Sequence, residues 1–141
     1  MDDIKQHLRR VAQAFIAKEM IRIATHGTVY DDPVKEERRK TAQLLCNRLC
    51  ATEFKDLDQT VIVVLNDELK DETSACVYLE GRCNREFVAF IFLNEKVWER
   101  YPEWYEKKLP NTLRHELIHL LTKLFDDDPG FQEELKKRGL K

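Results

Sequence analysis

The chain holds no apolar run approaching the ~20 residues that would cross a bilayer. It also lacks the basic start and short apolar core of a signal peptide, because Met1-Asp2-Asp3-Ile4-Lys5 is acidic and then amphipathic. The expected location is therefore cytoplasmic, with no membrane partner. No excess of one charge is present: 24 Lys and Arg stand against 26 Asp and Glu, a net charge of −2, so nothing global points to nucleic acid. The basic cluster Arg38-Arg39-Lys40 reads as a solvated helix face. Cysteine is scarce. Cys46, Cys50, Cys76 and Cys83 would give C-x3-C with C-x6-C, which is not a standard zinc spacing, and a disulfide framework does not suit a cytoplasmic chain of this size. They read as small core or turn residues. No repeats, low-complexity tracts or linkers break the 141 residues, so 1–141 reads as one domain with one core.

Histidine is scarce too, with four in the chain, yet two of them fall one helical turn apart. Leu113-Arg114-His115-Glu116-Leu117-Ile118-His119 contains H-E-x-x-H inside an apolar helical run. Residues four apart share a helix face, so His115 and His119 can aim imidazole nitrogens at one metal ion. Glu116 lies about 100° round the helix from His115, within reach of a water held on that metal. This is the zinc-hydrolase arrangement, with two imidazole ligands, an open position and a carboxylate to take the proton of the water. Leu113, Leu117, Leu120, Leu121 and Leu124 form a separate stripe that faces the core.

Residues 3 to 25 read as an amphipathic helix with Ile4, Leu8, Val11, Ala12, Phe15 and Ile16 inward, ended by His26-Gly27. His7 and His26 read as non-ligands. Asp32 and Pro33 start a second helix that runs to about residue 51, with Lys35 to Lys40 solvated and Ala42, Leu45, Cys46 and Leu49 buried. Thr60 to Leu65 is β-branched and reads as a strand covered on both faces. A short strand over Ala75 to Leu79, a turn at Gly81-Arg82-Cys83-Asn84 and a strong strand over Phe87 to Leu93 follow. Glu95 to Arg100 is a short helix that Tyr101-Pro102 interrupts. Pro110 is expected in the first turn of the motif helix, over about 110 to 125. Trp98, Tyr101, Trp104 and Tyr105 suit packing over that helix better than a substrate groove. A last helix spans Phe131 to Lys137.

Two histidines leave a catalytic zinc one protein ligand short. The residues following the motif offer Asp126, Asp127 and Asp128, with Glu133 and Glu134 on the last helix as alternatives. Asp128 also suits the cap of that helix, with Pro129 at its first position.

The order Gly81-Arg82-Cys83, a strand ending Ile91-Phe92-Leu93-Asn94, Leu113-Arg114-His115-Glu116-Leu117-Ile118-His119, then Gly130-Phe131 and Leu135 to Gly139 resembles a SprT-like metallopeptidase domain. The resemblance covers roughly residues 60 to 139. It implies His115 and His119 as zinc ligands and Glu116 as general base. That family usually places its third ligand, a histidine, four residues before the phenylalanine of the last helix. Counting back from Phe131 gives Asp127 here, so the resemblance implies Asp127 as the third ligand. The zinc-finger or DNA-binding extensions of larger members are not seen, and DNA–protein crosslink repair is not implied.

The expected fold class is therefore α+β and zincin-like. It has N-terminal helices, a small three-stranded sheet, the H-E-x-x-H active-site helix and a short C-terminal helix. The expected activity is zinc-dependent hydrolysis of peptide bonds, with Zn2+ as cofactor and a protein or peptide as substrate. The Phe87 to Leu93 strand is the expected edge for an extended substrate. Tyr101, Tyr105 and Arg114 are candidates for stabilising the oxyanion. A zincin-shaped protein-binding module with weak or no catalysis is the alternative. Neither the substrate nor the oligomeric state is legible.

Overall fold

Asp32 and Pro33 begin the first helix as their chemistry requires. The Asp32 carboxylate accepts from the Val34 N–H, and Pro33 occupies the first helical position, where no backbone donor is needed. The computed structural model describes residues 30–57, 60–67, 69, 74–83, 86–124 and 126–140. The expected helix over 3–25, with His7 and His26, lies outside them. Along the chain come α1 (Pro33–Thr52), β1 (Thr60–Asn66), β2 (Ala75–Cys83), β3 (Glu86–Asn94), α2 (Glu95–Arg100), α3 (Pro102–Thr122) and α4 (Pro129–Lys137). The architecture is mixed α and β, and no helix among the described residues is long and apolar enough to cross a membrane.

The sheet order is β1-β3-β2, with β1 parallel and β2 antiparallel to β3. The Phe87 to Leu93 strand is therefore central and paired on both sides, which corrects the expectation that it forms an edge. A near-continuous apolar run belongs in the middle of a sheet, where both faces are covered. Val61, Val63, Leu65, Ala89, Ile91 and Leu93 share one face and join a core with Ala42, Cys46 and Leu49 of α1. Trp98 of α2, Leu113 and Leu117 of α3, and Phe131 and Leu135 of α4 complete that core. On the opposite face Val64, Phe90 and Phe92 are also buried, so β1 is covered on both sides as its β-branched run implies.

Side chains close the outer edge of β1. The Gln43 amide donates to the Val61 carbonyl at 3.0 Å and accepts from the Val63 N–H at 2.8 Å. The Tyr30 hydroxyl donates to the Leu65 carbonyl at 3.0 Å and accepts from the Leu65 N–H at 2.9 Å. These bonds satisfy backbone groups that would otherwise template another strand. The other edge strand is β2.

Three local expectations change. Gly81, Arg82 and Cys83 continue β2 instead of turning, with a register irregularity between Glu80 and Cys83. Glu36 is buried on the otherwise solvated start of α1, where its carboxylate accepts from the Tyr30 N–H and the Arg39 guanidinium. These partners, led by Arg39, hold its carboxyl below the usual range. The third change matters most for the site. Pro110 lies inside α3, which begins at Pro102. A mid-helix proline removes one backbone bond and strains the preceding turn. The stripe Tyr105, Leu109, Leu113 and Leu117 runs straight through it, and burying four such side chains at about 1.5–3 kcal/mol each outweighs that cost.

Candidate metal centre

The histidine face of α3 is set by its leucine face. With Leu113, Leu117 and Leu120 locked in the core, His115 and His119 are rotated to the rim of the helix, one turn apart. Their rings meet edge to face with centroids 4.9 Å apart. Phe131, fully buried at the start of α4, stacks on His119 with centroids 4.0 Å apart and presents an edge to His115 at 5.1 Å. Both imidazoles are thus wedged between their own helix and the next one.

The chain reverses sharply after α3. Lys123 takes the left-handed conformation with φ 58°, a position that more often falls to glycine, and its N–H bonds back to the His119 carbonyl. That turn aims the Leu124 carbonyl at His119, whose Nδ1–H donates to it at 2.7 Å. The bond orients the ring and leaves Nε2 as the nitrogen to ligate, since a metal-binding histidine commonly donates its other ring N–H to a carbonyl or carboxylate. Gly130 in the first turn of α4 keeps the connection tight, since a Cβ there would stand 2.8 Å from Leu124 Cδ1.

The same reversal returns a carboxylate to the histidines, and it belongs to Asp126. Asp126 Oδ1 lies 2.9 Å from His115 Nε2 and 2.8 Å from His119 Nε2. Gln132 of α4 fixes this residue from behind by donating to its backbone carbonyl at 2.6 Å. His115, His119 and Asp126 offer three ligand atoms within 4.8 Å of one another. Asp127, the ligand implied by counting back from Phe131, is exposed on the turn and does not belong to this group, and the aspartate beside the histidines is the alternative Asp126. The reason is geometric. The left-handed turn at Lys123 decides which aspartate faces inward, and residue counts do not reveal it. Asp128 occupies the cap position of α4 without a side-chain cap bond, and Glu133 and Glu134 lie outside the group.

Electrostatics follow from the geometry. The hydrogen bonds from His115 and His119 hold the Asp126 carboxyl well below the usual carboxylate range. Burial opposes charging of His119, but its bonds to Asp126 and Leu124 and the nearby Glu116 carboxylate outweigh it and raise its pKa. Glu116 is almost fully buried, and burial pushes its carboxyl up to about 7 against the pull of His119 and His115.

The group fits a metal ion. Two imidazoles and one carboxylate are a known donor set for a catalytic site that keeps a fourth position open. A tetrahedral ion with bonds of ~2.0–2.1 Å holds its ligands roughly 3.3 Å apart, so Asp126 Oδ1, at 2.9 and 2.8 Å from the two imidazole nitrogens, needs to draw back from each by about 0.5 Å. Asp126→Asn is expected to weaken metal binding about 10–100-fold in a chelator competition, whereas Asp127→Asn is expected to leave it unchanged. The reverse pattern would move the third ligand to Asp127.

A cleft of about 440 Å³ opens beside these residues. Ser74 and Ala75, at the start of β2, form one wall, while His115, Glu116 and Asp126 form its acidic and imidazole end. Sequence reasoning missed Lys108, Asn111 and Thr112, which extend the α3 wall. Their signal was available, because they sit seven, four and three residues before His115 on the same helix face. Ser74 carried no such signal.

The aromatic group divides. Trp98 and Tyr105 are buried and stacked with centroids 4.9 Å apart, as packing requires. Tyr101 and Trp104 are about half exposed. None of the oxyanion candidates lines the cleft. The Tyr105 hydroxyl donates to the Ser74 carbonyl, and Arg114 grips Glu53 through two bonds at 2.9 and 3.0 Å while also holding Asn111. Arg114 therefore fastens α3 to the end of α1. Compared with known protein-family models, curated proteins and solved structures, the chain matches none.

Proposed function

We propose that this chain is a zinc-dependent metallopeptidase with a zincin-like, SprT-like catalytic domain. One observation carries the reading. His115, His119 and Asp126 bring three ligand atoms within 4.8 Å of one another, and His115, Asp126 and the buried Glu116 line an open cleft. Zinc held by these three residues would supply a Lewis acid for the scissile carbonyl and an acidified water as nucleophile.

The remaining work falls to the chain itself. Glu116 follows His115 directly, so its carboxylate sits on the flank of the ligand face. Burial raises this carboxyl in the metal-free chain, and zinc on the neighbouring histidines would draw it back towards the carboxylate that accepts a proton. Glu116 takes a proton from the attacking water and delivers it to the leaving amine. Leu124, through its carbonyl, holds His119 in the ligating orientation. The closed outer edge of β1 and the central place of β3 leave β2 as the strand along which an extended substrate adds, and its first residues already wall the cleft.

The test is metal content together with turnover. Purified protein is expected to take up about one zinc per chain and to cleave unfolded casein. A chelator should stop the cleavage and added zinc should restore it. Stoichiometric zinc with no cleavage of any unfolded protein would favour the binding-module alternative.

A further inference from the structure

The cleft does not stop at the ligands. On an α-helix, successive residues turn by ~100°, which places Trp104, Lys108, Asn111, Thr112 and His115 within an arc of about 100° on one side of α3. Lys108, Asn111 and Thr112 line the cleft beside His115. Trp104 continues the same stripe one turn further and is half exposed. The cleft therefore has a direction. It runs along α3 from His115, past two neutral polar side chains, to the exposed ammonium of Lys108, with the Trp104 indole next on the same stripe.

Among the described residues lining it, Lys108 is the one lysine or arginine, and it stands at the far end from the acidic groups Glu116 and Asp126. Seven residues of helix put its Cα about 10.5 Å along the axis from that of His115. An extended peptide rises ~3.3 Å per residue, so this is about three residues of bound chain. The flexible stem of lysine broadens the span to two to four residues.

We propose that the cleft selects acidic polypeptide, with Lys108 pairing an Asp or Glu side chain two to four residues from the position facing His115 and His119. The inference rests on the metallopeptidase reading for the identity of the bound chain as a substrate. An exposed pair of this kind acts by discrimination between sequences, with Asn111 and Thr112 leaving the intervening positions permissive.

The experiment has two arms, so that the two readings fail separately. In the first, zinc-loaded protein digests a peptide library and cleaved bonds are mapped by mass spectrometry. Acidic residues are expected about three- to fivefold enriched at one position two to four from the bond. Lys108→Glu, a change at an exposed residue, is expected to invert the preference towards Lys and Arg. In the second, Glu116→Gln protein is titrated with a fluorescent peptide carrying Glu at that position and with its Gln counterpart. The Glu peptide should bind several-fold more tightly, and Lys108→Glu in the same background should reverse the order. Cleavage without acidic enrichment, or a preference that Lys108→Glu leaves unchanged, overturns the inference while the peptidase reading stands. No cleavage, but Lys108-dependent binding of acidic peptide, overturns the peptidase and keeps the site. Neither cleavage nor binding overturns both.

Discussion

Replacing Glu116 by Gln is expected to slow peptide hydrolysis about 10²–10⁴-fold with zinc still bound, the range that one positioned general base contributes. The amide keeps the size and the burial of the carboxylate but cannot accept the proton. The same substitution has a second, independent signature in the metal-free protein. The folded Glu116 carboxyl titrates at about 7 and its ordinary value is 4.5. Below about pH 4.5 it is protonated whether the chain is folded or not. Between about 4.5 and 7 only the unfolded chain releases the proton, so the fold weakens as pH rises.

The gap corresponds to about 3 kcal/mol at ~1.4 kcal/mol per pH unit. His119, whose pKa is raised, adds a loss of the same sign as pH rises through its folded value. Denaturant titration of chelated protein at pH 5 and pH 7.5 should therefore show the parent losing stability with rising pH and Glu116→Gln losing clearly less. Equal losses would place the ionisation elsewhere. Zinc loading should reverse the trend, because both ligating imidazoles must be deprotonated and metal affinity rises with pH. A variant that keeps zinc, keeps its fold and still turns over at the parental rate would remove Glu116 from the chemistry.

The second large effect is expected at Phe131. Its ring is fully buried, lies flat on His119 at 4.0 Å with 9° between the planes, and meets His115 at 5.1 Å. Phe131→Ala removes a core aromatic, which costs about 3–5 kcal/mol of stability. It also takes away the surface that fixes both imidazoles, and losses of support behind a ligand weaken metal binding about 10–100-fold. Phe131→Leu separates the two roles. Leucine fills most of the volume at a cost below about 1.5 kcal/mol, but it provides no flat face for His119. Calorimetric zinc titration of both variants checks the assignment. If Phe131→Leu binds zinc as weakly as Phe131→Ala while remaining stable, the ring orients the ligands. If Phe131→Leu matches the parent in zinc affinity, Phe131 is only core.

Much of the site was written in local periodicity. H-E-x-x-H on a leucine-striped helix put His115, Glu116 and His119 where they are found, since rotation by 100° per residue is a property of the helix itself. Asp32-Pro33 was equally legible, because a cap works through neighbouring backbone groups, while the cap that Asn94 forms by accepting from the N–H groups of Lys96 and Val97 emerged from the structure. The start of α3 was misjudged at Pro110. Proline chemistry is local and favours a helix start, but the buried stripe through Tyr105 and Leu109 is tertiary and prevailed.

By itself, then, the sequence determined the two-histidine helix, its buried face and the acidic turn that follows it. Only the tertiary structure decided that Asp126 and not Asp127 meets the histidines, because the left-handed reversal at Lys123 and the Gln132 bond set the direction of that turn. It likewise decided that the strongest strand lies in the centre of the sheet and that Ser74 joins Lys108 in lining the cleft. The physical reason is common to all three. Periodicity fixes what a residue's neighbours along one element are, whereas a site's other wall comes from segments whose approach depends on packing between elements.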